Sequence, residues 1–288
     1  ARWFGQAKAA LSMWCQGLNQ SQHATHNSAA LIHLHLATGQ IGRPGAGPLS
    51  LTGQPNGMGG REVGAMANLL SAHRDLANAD DRAQVARFWG VGSVPARAGK
   101  TAVELFEGLR AREIKAVWIA CTNPAQSMPQ QARIREALQN AEFVVVQEAF
   151  ETTETAQFAD LLLPAAAWAE KEGTVTNPER PITHVRKAVA APGEARPDWR
   201  IGCDFALKLG PLLGKEAKRL FPYATPEEIF AEHAASTAGR DLDIAQLTYD
   251  VLDRDGPQQW PYRSGAGSSR LYGEGRVWLL MTDTGAKQ

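Results

Sequence analysis

Ala116-Val117-Trp118-Ile119-Ala120-Cys121, Phe143-Val144-Val145-Val146 and Asp160-Leu161-Leu162-Leu163-Pro164 are three short apolar runs that follow one another closely. Runs of this length, rich in branched aliphatic residues, read as buried strands. Between them, residues 128–140 and 153–158 read as helices. The order βαβαβ predicts an α/β fold with a doubly wound, Rossmann-like parallel sheet, because parallel neighbours need crossover helices that cover both faces. Ligands of such sheets sit beyond the carboxyl ends of the strands. Here those ends are Thr122-Asn123-Pro124 and Gln147-Glu148.

Working outward, Leu11-Ser12-Met13-Trp14-Cys15 reads as a further strand opening into polar Gln16-Gly17-Leu18-Asn19-Gln20. A helix is expected over 27–38, with Ala30, Leu31, Leu34 and Thr38 on one face and Gly39 as its stop, packed on that strand. Residues 39–60 are so dense in glycine and proline that a long irregular loop is expected, one that carries function or else serves as a surface linker. On the other side, 170–177 reads as a polar turn with short extended pieces, 192–199 as a loop, and 201–209 as a structural helix. Thr225-Pro226-Glu227-Glu228 is a capping box that predicts a helix to about 235.

The 288 residues are 44% hydrophobic and 21% charged, with 30 basic residues against 30 acidic ones. A balance of that kind gives no field that attracts nucleic acid or an anionic membrane, so a bound anion needs a local site. Cys15, Cys121 and Cys203 are too far apart for CxxC metal spacing or a disulfide framework, which suits a reducing compartment. No apolar run is long enough to span a bilayer, and a cytoplasmic address is expected. His23, His26, His33 and His35 crowd together, but His33 and His35 face different sides of a helix and no carboxylate accompanies them, so no metal ligand is assigned. Dinucleotide GxGxxG, P-loop GxxxxGK[ST] and GxSxG patterns are all missing. What remains is a dispersed polar set at loop positions: Gln16, Gln20, Asn123, Gln147, Glu148, Lys171 and Asp198. Either these are ordinary loop residues, or they converge on a large polar ligand, with Glu148 placed for ribose hydroxyls and Asp198 for a guanine edge.

Gly17-Leu18-Asn19-Gln20-Ser21 and the run from Leu36 to Pro48, LATGQIGRPGAGP, resemble the bis-molybdopterin-guanine-dinucleotide oxidoreductases. Ser50-Leu51-Thr52-Gly53-Gln54-Pro55-Asn56 and Gly60-Arg61-Glu62-Val63-Gly64 are similar to the nitrate reductase branch, in particular the bacterial assimilatory enzymes, and residues 159–164 with Glu170-Lys171-Glu172-Gly173 agree. The likeness fades after about Gly275, where Val277-Trp278-Leu279-Leu280 departs from the usual continuation.

The resemblance implies that the pterin dinucleotide is gripped by Gln16, Gln20, Asn123, Gln147, Glu148, Lys171 and Asp198, the set reached independently from the strand ends. It implies oxygen-atom transfer from nitrate to molybdenum, with electrons arriving through a 4Fe-4S cluster from a ferredoxin, a flavodoxin or an NADH-linked reductase. Arg61 is the candidate catalytic cation beside the nitrate path, since a guanidinium suits a planar oxyanion. The four-cysteine cluster motif and the cysteine ligand to molybdenum are missing here, so the chain reads as an internal fragment, inactive by itself, that carries no metal ligand. Three divisions are expected: 1–100, part of a molybdopterin-binding α/β domain with the glycine-proline loop; 101–200, the βαβ cofactor-binding part; and 201–288, helices and loops leading toward a further C-terminal domain. A formate dehydrogenase-like enzyme and a metal-free structural subunit related to the molybdopterin-fold component of respiratory complex I are the alternatives.

Overall fold

The computed structural model describes residues 1–19, 21, 23–263 and 265–267; the divergent stretch around Val277 lies outside them. Strand β1 (Leu11–Trp14), helix α1 (Ala24–Ala37) and strand β2 (Gly47–Ser50) form a βαβ unit whose strands pair in parallel, Leu11 opposite Gly47 and Trp14 opposite Ser50. The helix ends ahead of Gly39, which takes the left-handed φ of +64° that glycine tolerates without cost. It does pack on β1: buried His35 meets Ser12 Oγ through Nε2 at 2.7 Å.

Two expectations need correction here. The buried stripe of α1 is Ser28, Ile32 and His35, whereas Leu34 is 44% exposed. Polar and apolar residues are spread around the helix, and polar Ser28 and His35 lie on its buried side, so its spacing did not single out that face. Residues 39–60 are not wholly irregular, because they contain β2 and the start of helix α2 (Gly57–Glu62). Proline is tolerated in β2 because the strand pairs on one edge only, through Gly47 N–H to Ala10 O at 2.9 Å and Leu51 N–H to Trp14 O at 2.7 Å.

Helix α3 (Ala102–Arg110), β3 (Ala116–Ala120), α4 (Gln131–Asn140), β4 (Phe143–Glu148), β5 (Leu161–Pro164) and α5 (Asp198–Leu212) build the expected parallel α/β unit, with the three strands side by side in chain order. Alternation along the strands sends Ile119, Val144 and Val146 to one face, where Phe106 and Leu109 of α3 and Ile134 and Leu138 of α4 bury them. Trp118 points the other way and meets Phe205 of α5 edge-on at 4.9 Å. Helices therefore cover both faces, as a parallel sheet requires.

Helix α4 starts at Gln131 rather than near 128, because Gln130 sits at φ +55°. The helix expected over 153–158 is a single 3-10 turn, Ala156–Phe158. Helix α5 starts at Asp198, inside the expected loop 192–199, with Pro197 as the flanking residue that admits the helix but cannot extend it backward.

A second core lies beyond. Strands β6 (Gly173–Thr176) and β7 (Pro181–Val185) pair antiparallel, β8 (Gln258–Gln259) adds to β7, and helices α6 (Pro226–Ser236) and α7 (Tyr249–Asp255) cover them. Thr225 and Glu228 form the predicted capping box at the start of α6. Ala72, Ile182, Phe230, Leu252 and Trp260 share this core, so its packing draws on all three of the expected divisions. No helix among the described residues is long and apolar enough to cross a membrane.

Candidate functional site

The site grows from the end of β3. Ala120 is opposite Gln147 in the sheet, and the next residue, Cys121, turns the chain sharply at φ +57° while its N–H still bonds to Gln147 O at 3.0 Å. A left-handed non-glycine residue costs roughly 1–2 kcal/mol, so the surroundings must hold this turn in place. The turn directs the Cys121 thiol to Asp198 Oδ1 at 3.5 Å.

Asp198 is the meeting point. It opens α5, on the sheet face that also carries Gln147, and a carboxylate in the first turn of a helix is favoured by the helix dipole. Gln147 Nε2 donates to Oδ1 at 2.8 Å and Lys171 Nζ donates to Oδ2 at 2.5 Å. Four side chains from four separate stretches thus converge, and three of them, Gln147, Lys171 and Asp198, belong to the set predicted from sequence. Burial alone pushes the Asp198 carboxyl up, but the hydrogen bonds from Lys171 and Gln147 and the Lys171 charge outweigh it and hold the group below the usual carboxylate range. The Cys121 thiol is pushed up, first by burial and then by the Asp198 charge.

The cluster keeps capacity for a ligand. Gln147 is 5% exposed, yet its Oε1 has no hydrogen-bond partner among the described residues. The side chains of Lys171 and Asp198 are 27% and 31% exposed, so a cation suited to phosphate and a carboxylate suited to paired N–H donors are both accessible to a ligand. Lys171 Nζ also lies 5.8 Å above the Trp168 ring.

The remaining predicted residues are placed differently. Glu148 spends Oε1 on the N–H groups of Ala149 and Phe150, at 2.7 and 3.3 Å, which leaves Oε2 open. Asn123 has a saturated amide: it donates to Gln126 and Glu154 and accepts from the N–H and hydroxyl of buried Thr155, at 3.1 and 2.6 Å. It braces the loop after β3 rather than presenting a free group. Gln16 is exposed at the end of β1, takes a weak thiol bond from Cys15 at 3.6 Å, and lies beside Gly53 of the glycine-proline stretch. Gln20 is outside the described residues. Arg61 is exposed on α2 and makes no side-chain hydrogen bond or ion pair among the described residues. Neither Gln16 nor Arg61 bonds to the Asp198 cluster.

Cys121 was missed from the sequence, although its place directly after β3 is where this class of sheet binds ligands. A separate groove of about 550 Å³, lined by Phe88, Trp89, Arg219 and Phe221, contains none of the predicted residues.

Residues 3–208 match the molybdopterin oxidoreductase domain. The chain is 42% identical over 280 residues to a nitrate reductase of Synechocystis sp. (strain ATCC 27184 / PCC 6803 / Kazusa), a match that covers 96% of this chain and 38% of that protein. It is 34% identical over 275 residues to the assimilatory nitrate reductase catalytic subunit of Bacillus subtilis (strain 168), covering 94% of this chain and 38% of that one. It is 36% identical over 282 residues to the periplasmic nitrate reductase of Desulfovibrio desulfuricans (strain ATCC 27774 / DSM 6949 / MB), covering 96% and 37% respectively. The chain therefore spans well under half the length of these relatives. With the family domain matched over residues 3–208 and relatives at 34–42% identity matched over nearly the whole chain, the chain belongs to the molybdopterin oxidoreductase family.

Proposed function

We propose that the longer enzyme of which this chain is a part reduces nitrate to nitrite and that this chain grips a molybdopterin guanine dinucleotide across the carboxyl ends of its parallel strands. The observation that carries this reading is the Asp198 carboxylate, fixed by Gln147 and Lys171 where a doubly wound sheet binds nucleotides. Its two oxygens suit the adjacent N–H donors of a guanine edge. The Cys121 thiol, a weak donor at 3.5 Å, yields readily to such groups. Lys171 offers its charge to a phosphate, Glu148 turns its free oxygen to ribose hydroxyls, and Asn123 keeps the loop between them in shape. Gln16 adds a contact from the end of β1, and the resemblance adds Gln20 to the set.

When bound, the molybdenum centre supplies two-electron oxygen-atom transfer, which consumes two protons and releases water with nitrite. A 4Fe-4S cluster bound by residues other than those of this chain would relay electrons from ferredoxin, flavodoxin or an NADH-linked reductase, in a cytoplasmic, assimilatory setting. The GQPN and GREVG strings and the assimilatory relative support that setting, and they favour nitrate over formate. Arg61 draws nitrate in: its exposed guanidinium is free to bond a planar oxyanion through two parallel N–H groups.

In the loaded enzyme, Asp198→Ala should lower molybdenum content per chain about tenfold, as expected for loss of a charged hydrogen-bond partner. Wild-type content in that variant would remove the guanine-reading role. Formate oxidation in place of nitrate reduction would overturn the assignment of substrate.

A further inference from the structure

We infer that Glu62 is the positioning residue for Arg61 and that Trp260 holds it in place, an inference that rests on the nitrate-binding reading of Arg61. Helix α2 has six residues, three of them glycine, and a helix that short and that rich in glycine does not hold its own shape. It is held from outside. Glu62 is 3% exposed, and its two carboxylate oxygens accept from Trp260 Nε1 at 2.6 Å and from Thr176 Oγ1 at 2.8 Å. Its carbonyl accepts from Ala72 N–H at 2.7 Å. At the start of the helix, Asn56 Oδ1 accepts from Thr176 N–H at 2.9 Å, so one residue of β6 ties down both ends.

Trp260 has no room to move. It is 1% exposed, has the His73 ring edge-on at 5.7 Å, and carries the Arg180 guanidinium over its indole at 5.2 Å. Successive helical residues point about 100° apart, so fixing Glu62 inward fixes the direction in which exposed Arg61 points. Two short bonds to a buried carboxylate set that rotation with an angular precision that apolar contacts on a glycine-rich turn would lack.

The test is a variant series in the molybdenum-loaded enzyme, reading the nitrate KM, kcat and molybdenum content. Trp260→Phe keeps the ring and loses the donor, and should raise KM about tenfold with kcat within about twofold and molybdenum content unchanged. Glu62→Gln, which keeps an acceptor for the indole, should stay near wild type. Glu62→Ala should raise KM, but added to Arg61→Ala it should raise KM no further, because its effect passes through Arg61. An unchanged KM in Trp260→Phe, or independent multiplying effects in the double variant, would overturn the positioning role alone. An unchanged KM in Arg61→Ala would remove the reading on which it rests as well.

Discussion

Two parallel sheets in this chain have a strand followed directly by a cysteine and then by predicted ligand contacts, and their surroundings differ. At the end of β3, helices cover both faces of the sheet, and the cluster around Asp198 is joined through Gln147, Lys171 and Cys121. At the end of β1 there are two strands, α1 covers one face, and on the other Leu11 and Met13 are 50% and 60% exposed. Gln16 there has a single weak bond, from its neighbour Cys15. Parallel sheets are stable when buried on both faces, and a polar group is directional when its partners are fixed. Within this chain, the fixed polar cluster lies where helices cover both faces of the sheet, and the loosely held Gln16 lies where one face is covered.

The largest effect should appear in the cores. Ile119→Ala should cost about 3 kcal/mol of stability in urea unfolding, the usual range for emptying a filled core position, while Met13→Ala should cost less than about 1 kcal/mol. Equal costs would break the contrast by placing Met13 in a packed layer. Next come the ligand contacts: Gln147→Leu in the loaded enzyme should reduce molybdenum content about tenfold, and Gln16→Leu only about twofold, since the first loses a fixed donor to a charged group. A reversed order would make the β1 end the principal grip. The smallest effect is chemical. The Cys121 thiol is raised, by burial first and then by Asp198, so less of it is thiolate at neutral pH. Alkylation of Cys121 should be severalfold slower than that of free cysteine at pH 7 and should gain speed only above the usual thiol range. A rate equal to that of free cysteine would show that neither its surroundings nor the Asp198 charge raises the thiol.

Much of the candidate site's location was legible because it follows from local signals. The apolar runs announced β3 to β5, and the ligand-binding rule for such sheets then pointed to Gln147 and Glu148 without any contact being known. The capping box at Thr225 was equally local. What escaped depends on partners far away in sequence. Strand β2 exists because β1 pairs with it, and nothing in a stretch of glycine and proline foretells that pairing. The start of α5 was placed too late because Pro197 reads as loop when it is in fact the residue from which the helix departs. Cys121 enters the cluster through a left-handed turn and a partner 77 positions away. Asn123 was correctly placed at the strand end, but its saturation by Thr155 and Glu154 could not be foreseen from spacing.

The bond between Trp260 and Glu62 crosses 198 positions, and that separation has a meaning in time. At about 5–20 residues added per second, a ribosome works for roughly 10–40 s between making the carboxylate and making the indole that binds it. The strands of the β3 to β5 sheet come from neighbouring stretches and can assemble early in that interval. The helix carrying Arg61 cannot lock until the interval ends, so the newborn chain acquires its sheet first and the fixed direction of the Arg61 guanidinium later.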